Sequence, residues 1–180
     1  VSRDWSSDVC SSDPNPAIVD FIGRNYGVDE EGRWFFQNGP QRVFVTLDYT
    51  PYVYRIVWNA DAHAPLHIET HTQSTVRVIE SAWLDETGVL LLVTEHGAGL
   101  LDDRNLELLL PWLTDQAGNA LDEETLAARM ETLQAANNAD LHLNHAGRHV
   151  PLRAIASTAV AAKFGFVPKP LQPPGEEPCQ

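Results

Sequence analysis

Seven histidines in a chain of 180 residues offer its most obvious capacity for chemistry. His63, His67 and His71 fall at i, i+4 and i+8 in "DAHAPLHIETHTQ", a stretch that reads as a loop running into a strand. On a strand, His67, Glu69 and His71 project to one face. Two imidazoles and a carboxylate can hold zinc or ferrous iron and leave coordination positions open. The same three residues also make the polar, solvated face of a half-exposed strand, with Leu66, Ile68 and Thr70 on its other side. That simpler reading is the expected one, because a strand-borne pair lacks the spacing of a full metal motif. His142, His145 and His149 surround Gly147 and invite the same idea. There a polar hairpin tip is expected. No metal ligand, cofactor-binding residue or catalytic residue is assigned from these clusters.

Other chemistry finds less footing. The chain has no G-x-S-x-G elbow, and its two cysteines, Cys10 and Cys179, lie near its two ends. Neither G-x-G-x-x-G nor G-x-x-x-x-G-K-[ST] occurs, so the usual nucleotide cradles are not expected. "EHGAGLLDDR" comes closest to a glycine loop: Gly97, Gly99, Asp102, Asp103 and Arg104 could form a binding loop that leads into a helix. A hairpin turn followed by a capped helix explains the same residues and is preferred. Tyr49, Tyr52 and Tyr54 could line a concave sheet surface, while Trp34, Trp58, Trp83 and Trp112 read mainly as packing residues.

The elements that must position these groups follow from local pattern. "NPAIVDFIGRNYG" predicts a short docking helix with Asn15 as cap, Pro16 at its first position, an apolar face of Ile18, Phe21 and Ile22, and Gly27 closing it. Trp34 to Phe36 and Arg42 to Leu47 predict two strands around "NG", with Pro40 pointing to a turn wider than two residues. "YVYRIVW", "LHIETHT" and "TVRVIESAWL" predict strands, and "GVLLLVTEHGAGLLD" a further hairpin. Two helices follow. In the first, Asp102 caps, Leu101 and Leu106 staple, and Pro111 stops it. In the second, residues 121–137, Asp122 caps, Leu121 and Leu126 staple, and Leu126, Met130 and Leu133 form the buried stripe. "DLHLNHAGRHVPLRAI" returns to a hairpin, and "ASTAVAAKFGF" predicts a small-residue helix closed by Gly165. "VDEEGRWFFQNG" and "LDETGVLLLVTEHG" echo one another, either as a duplicated hairpin or as convergence on the same turn chemistry. Short turns link most strands, so the expected class is α+β: a curled antiparallel sheet built of β-hairpins, packed by a few α-helices.

Composition narrows the partners. Back-translated, "DWSSDVCSSD" (residues 4–13) matches the reading of a sequencing-adapter primer, so residues 1–13 are expected to be an artefactual or disordered segment. Without Arg3, Asp4, Asp8 and Asp13, the 12 basic and 25 acidic residues become 11 and 22, and the formal charge moves from −13 to −11. Residues 14–167 are expected to form a single domain, and the proline-rich residues 168–180 an extended tail. The basic residues are scattered, which argues against nucleic acid and anionic membrane surfaces. No apolar run approaches the roughly 20 residues of a membrane span. With one cysteine outside the first segment, nothing suggests an oxidising compartment, and a cytoplasmic location is expected.

"GRWFFQNGPQRV" (residues 32–43) and "GAGLLDDRNL" (residues 97–106) resemble an uncharacterised proteobacterial family, a conserved domain of unknown function, with the likeness extending over residues 15–167. The resemblance implies a bacterial, cytoplasmic protein and carries over no activity, ligand or site residue. Two function classes stand side by side. The preferred one is a small non-catalytic binding or regulatory module with a protein or small-molecule partner and no cofactor. The other is a metal-dependent enzyme that uses the His67/Glu69/His71 face or the His142–His149 tip.

Overall fold

The computed structural model describes residues 16–57, 66–136 and 140–171. The expected N-terminal segment, Trp58, His63 and most of the proline-rich tail lie outside those residues. The described chain begins with α1 (Pro16–Asn25). Its last residue turns its side-chain amide back to the Phe21 carbonyl at 2.7 Å. Gly27, expected to close this helix, lies instead in β1 opposite Phe35. Strands β1 (Tyr26–Val28), β2 (Trp34–Asn38) and β3 (Gln41–Phe44) make a small antiparallel sheet. The β2–β3 turn is not widened by Pro40: Asn38 pairs with Gln41, which leaves a two-residue Gly39–Pro40 turn.

A second sheet has eight strands: β4 (Tyr52–Ile56), β5 (Ile68–Thr70), β6 (Ile79–Asp85), β7 (Leu90–Thr94), β8 (Gly97–Leu101), β9 (Leu113–Thr114), β10 (His142–His145) and β11 (Arg148–Ile155). Their order is β5-β4-β8-β7-β6-β11-β10-β9. The fold is α+β with a curled sheet, as the sequence predicts. The sheet is mixed, however, because β4 pairs with β8 and β6 with β11 in parallel. Parallel neighbours need a long connection. Here β5, β6 and β7 intervene between β4 and β8, and the helical region intervenes between β6 and β11.

At its centre the sheet buries both faces, which explains why "VLLLV" shows no alternation. Leu90 and Leu92 of β7 join a core with Tyr54, Ala82, Leu84, Leu143 and Leu152. Leu91 faces the opposite side with Trp34, Leu47, Trp83, Val160 and Phe166. The first face is covered by α2 (Leu106–Leu109), which lies in a run of helical turns, and by α3 (Glu123–Ala136). Asp122 caps α3 by accepting the Thr125 amide at 2.7 Å. Of the expected stripe on this helix, Leu133 is fully buried, while Leu126 and Met130 are only partly so. The second face receives the small sheet and α4 (Val160–Phe164). The chain beyond α4 ties these parts together: Val167 donates to the Gly32 carbonyl and Pro168 accepts from Leu47, each at 2.8 Å.

Candidate functional site

The histidine groups separate in space. His67 Nε2 lies 3.0 Å from Glu69 Oε1 at the surface of β5. His71 turns away from them. Its Nδ1 accepts the Val53 amide at 3.3 Å, and its ring packs 5.4 Å from Tyr26 and 5.6 Å from Tyr52. An acceptor at Nδ1 places the proton of the neutral ring on Nε2. Burial depresses its pKa, and the nearby charge of Arg55 acts in the same direction. His71 is therefore a packing residue of the β4–β5 edge. Among the described residues, no three His, Cys, Asp or Glu side chains converge to hold a metal ion.

The Gly147 cluster divides by strand alternation. Leu143 and His145 point into the protein, and His145 is 4% exposed, so it is not part of a polar tip. Burial lowers its pKa, opposed by the charge of Glu95. His149 is exposed and lies beside Gly118. His142 stands opposite Thr114, and its Nδ1 and the Thr114 hydroxyl are both buried without a hydrogen-bond partner. Asp140 Oδ1 approaches that nitrogen to 3.6 Å.

The glycine-containing stretch is a strand and not a loop. Gly97 and Gly99 both belong to β8. A Cβ at Gly99 would lie 2.5 Å from Tyr54 Cε2 and 2.7 Å from Tyr52 Cβ, so glycine here admits the Tyr54 ring and the Tyr52 main chain. The Tyr54 hydroxyl bonds the Thr94 hydroxyl and the Gly97 carbonyl, each at 2.8 Å. Tyr49 donates to Asp85 Oδ2 at 2.6 Å. Tyr49 and Tyr54 thus cross-link the protein, where a concave ligand surface was the other reading.

Asp102 follows β8 and caps the first helical turn through the Arg104 amide. Its carboxylate also takes the Arg104 guanidinium at 2.6 and 2.9 Å and Arg55 at 3.4 Å. The hydrogen bonds from Arg104 hold its pKa at about 2, against the effect of burial. Beside it opens a groove of about 520 Å³. Val53, Val89, Leu100 and Leu106 form its apolar lining, and Asp102 and Asp103 add carboxylates. Val53 and Leu100 are register partners across the parallel β4–β8 pair, so their side chains share a face. A smaller hollow of about 380 Å³ lies where the other parallel pair ends, among Leu84, Ile155, Glu86 and Gln134. The β6–β7 turn contributes Glu86 to the hollow and Thr87 to the groove.

Sequence reasoning singled out Asp102 and Asp103 but missed Val53, Val89 and Leu100. These three are ordinary strand residues, and only the long-range strand order brings them together. No signal in the local pattern separates them from core positions.

Comparison with known proteins adds kinship and no activity. No curated protein matches the chain. The solved structure of a DUF1285 family protein from Silicibacter pomeroyi DSS-3 is similar over 79% of this chain and 72% of its own, with 15% identity and a TM-score of 0.47. The model of the DUF2944 family, described as "Protein of unknown function (DUF2946)", matches residues 8–171. The chain belongs to this family of proteins of unknown function.

Proposed function

We propose that the chain is a non-catalytic binding module that takes a small molecule in the groove beside Asp102. The groove itself carries this reading. Its volume of about 520 Å³ falls in the range of small-molecule sites, roughly 300–1,000 Å³. It also has the usual composition, an apolar lining with a few polar groups. The histidine arrangement agrees with such a role, since His71 is committed to packing and His145 to the interior. The scattered basic residues and net charge of −13 favour a partner other than nucleic acid. The paucity of cysteine supports a cytoplasmic location. Among the described residues, no helix is long and apolar enough to cross a membrane.

Fragment screening by protein-observed NMR tests the reading. Bound fragments should shift the amides of Val53, Val89, Leu100 and Leu106. Val53→Trp, which fills the groove, should abolish those shifts while the rest of the spectrum is kept. Fragments that bind elsewhere, or that bind the Val53→Trp variant equally well, would refute the assignment.

A further inference from the structure

Two cations each lie within about 6 Å of one aromatic ring on the second face of the large sheet. Trp83 of β6 and Arg153 of β11 are register partners. The Arg153 guanidinium carbon lies 5.5 Å from the Trp83 ring centroid. From α4, Lys163 places its Nζ 4.3 Å from the same ring. Phe164 meets the ring edge-on at 6.2 Å. The indole N–H is engaged elsewhere, donating to the Ser81 hydroxyl at 2.9 Å.

Charge makes this arrangement unusual. The chain has 25 acidic residues for 12 basic ones, so carboxylate partners are plentiful. Arg24, Arg33, Arg55, Arg104 and Arg129 each hold one. Among the described residues, neither Arg153 nor Lys163 has a carboxylate within 4.0 Å. One cation over a tryptophan is a favourable contact. A second brings like-charge repulsion, and among the described residues no ion pair relieves it within 4.0 Å. Among the described residues no hydrogen bond engages the Arg153 guanidinium, which leaves its N–H groups available. The ammonium adds three more donors. Both side chains belong to exposed residues, so their donors are open to a ligand.

We propose that Arg153 and Lys163, held against Trp83, form an oxyanion site for a phosphate group, either free or as a phosphomonoester. Two positive charges match a dianion, and the guanidinium fork fits two phosphate oxygens. Trp83 and Phe164 provide an aromatic wall beside the anion. The site is independent of the groove near Asp102. The overall negative charge works against any anion, so affinity must arise from this local pair and must weaken with salt.

The full chain, titrated near neutral pH with sodium phosphate and, at matched ionic strength, with sodium chloride or sodium acetate, supplies the test. NMR follows the Trp83 indole N–H, assigned with Trp83→Phe, and the amides of Arg153 and Lys163. Phosphate should produce saturable shifts there, whereas chloride and acetate should not. Arg153→Gln and Lys163→Gln should each weaken binding roughly tenfold, the scale of a lost hydrogen bond to a charged group. Arg42→Gln, which removes a cation from over Phe35, should change nothing. Phenyl phosphate binding more tightly than phosphate would support a phosphomonoester ligand, and equal binding would support free phosphate. Non-saturable shifts common to all three salts, or undiminished phosphate binding by the double variant Arg153→Gln/Lys163→Gln, would overturn the proposal.

Discussion

The turns Asp29–Arg33 and Asp85–Val89 have nearly the same backbone and opposite dependence on the rest of the protein. In each, the aspartate N–H donates to the carbonyl four residues on, and the glycine N–H returns to the aspartate carbonyl, all at 3.1 Å. In each, Oδ1 accepts two turn amides: Glu31 and Arg33 at 3.0 and 2.9 Å, Thr87 and Val89 at 2.8 and 3.0 Å. This is a type I turn followed by a left-handed residue, the usual three-residue hairpin loop. The echo in the sequence is therefore accounted for by turn chemistry. Outside the backbone the two diverge. Asp29 Oδ2 bonds Arg33 within its own turn at 2.7 Å, whereas Asp85 Oδ2 bonds Tyr49, 36 residues away. For the glycines the contrast is reversed. A Cβ at Gly32 would lie 2.3 Å from the Gly165 carbonyl oxygen, and one at Gly88 would meet nothing within 4 Å. One turn is anchored through its glycine and the other through its aspartate, so a shared motif fixes local shape and leaves the tertiary role open.

The largest effect should come from Asp85. Asp85 is 1% exposed and accepts from Thr87 twice, from Val89 and from Tyr49. Asp85→Ala should cost about 3–5 kcal/mol in urea unfolding, since it strands several donors at a buried site. Asp29→Ala should cost about 1–2 kcal/mol, the scale of a lost local cap. Equal costs would show that the Tyr49 link contributes nothing. Next come the glycines, where the order reverses. Both have positive φ, +79° at Gly32 and +89° at Gly88. Gly88→Ala should lose only about 1–2 kcal/mol of left-handed strain. Gly32→Ala adds a backbone clash and should lose roughly 3 kcal/mol or more. If the two substitutions lower the melting temperature alike, the contact with Gly165 is not rigid.

The smallest effect is one of pH. Burial raises both carboxyl pKa values, but hydrogen bonds outweigh it and hold them below the ordinary range: from Arg33 and Glu31 at Asp29, and from Tyr49, Thr87 and Val89 at Asp85. A depressed folded-state pKa gives stability that is complete above the unfolded value, about 3.9. That stability is lost as pH falls through the lower folded value. Urea midpoints should thus fall on acidification below about pH 4. Asp29→Asn and Asp85→Asn should each flatten that acid limb. Acid limbs parallel to the wild type would remove these two carboxylates from the account.

The sequence revealed elements whose cause is local. The β6–β7–β8 hairpins, the Asp122 cap and the left-handed Gly165 were legible because turn and cap residues act on their neighbours. The parallel pairings were not, because nothing near β4 or β11 encodes a partner so distant along the chain. The burial of His145 was hidden for another reason. The residue next to a turn looks solvent-facing by composition, yet alternation along β10 sends it inward with Leu143. Leu126 illustrates the limit of periodicity: it lies on the correct side of α3, but the depth of burial depends on what covers that end. The candidate sites were least legible. The groove joins residues near positions 53, 89 and 100, and the cation pair joins 83, 153 and 163.

The parallel pairing of β6 with β11 also bears on how the chain is made. Strands β6, β7 and β8 are joined by tight turns and can assemble as soon as they leave the ribosome. One edge of β6, however, is completed only by residues 148–155, after the helical region and β9–β10 have been synthesised. Until then the nascent chain carries an open sheet edge at β6, a template for pairing with other chains. Truncation between α3 and β11 should therefore yield an aggregating species and not a smaller stable domain.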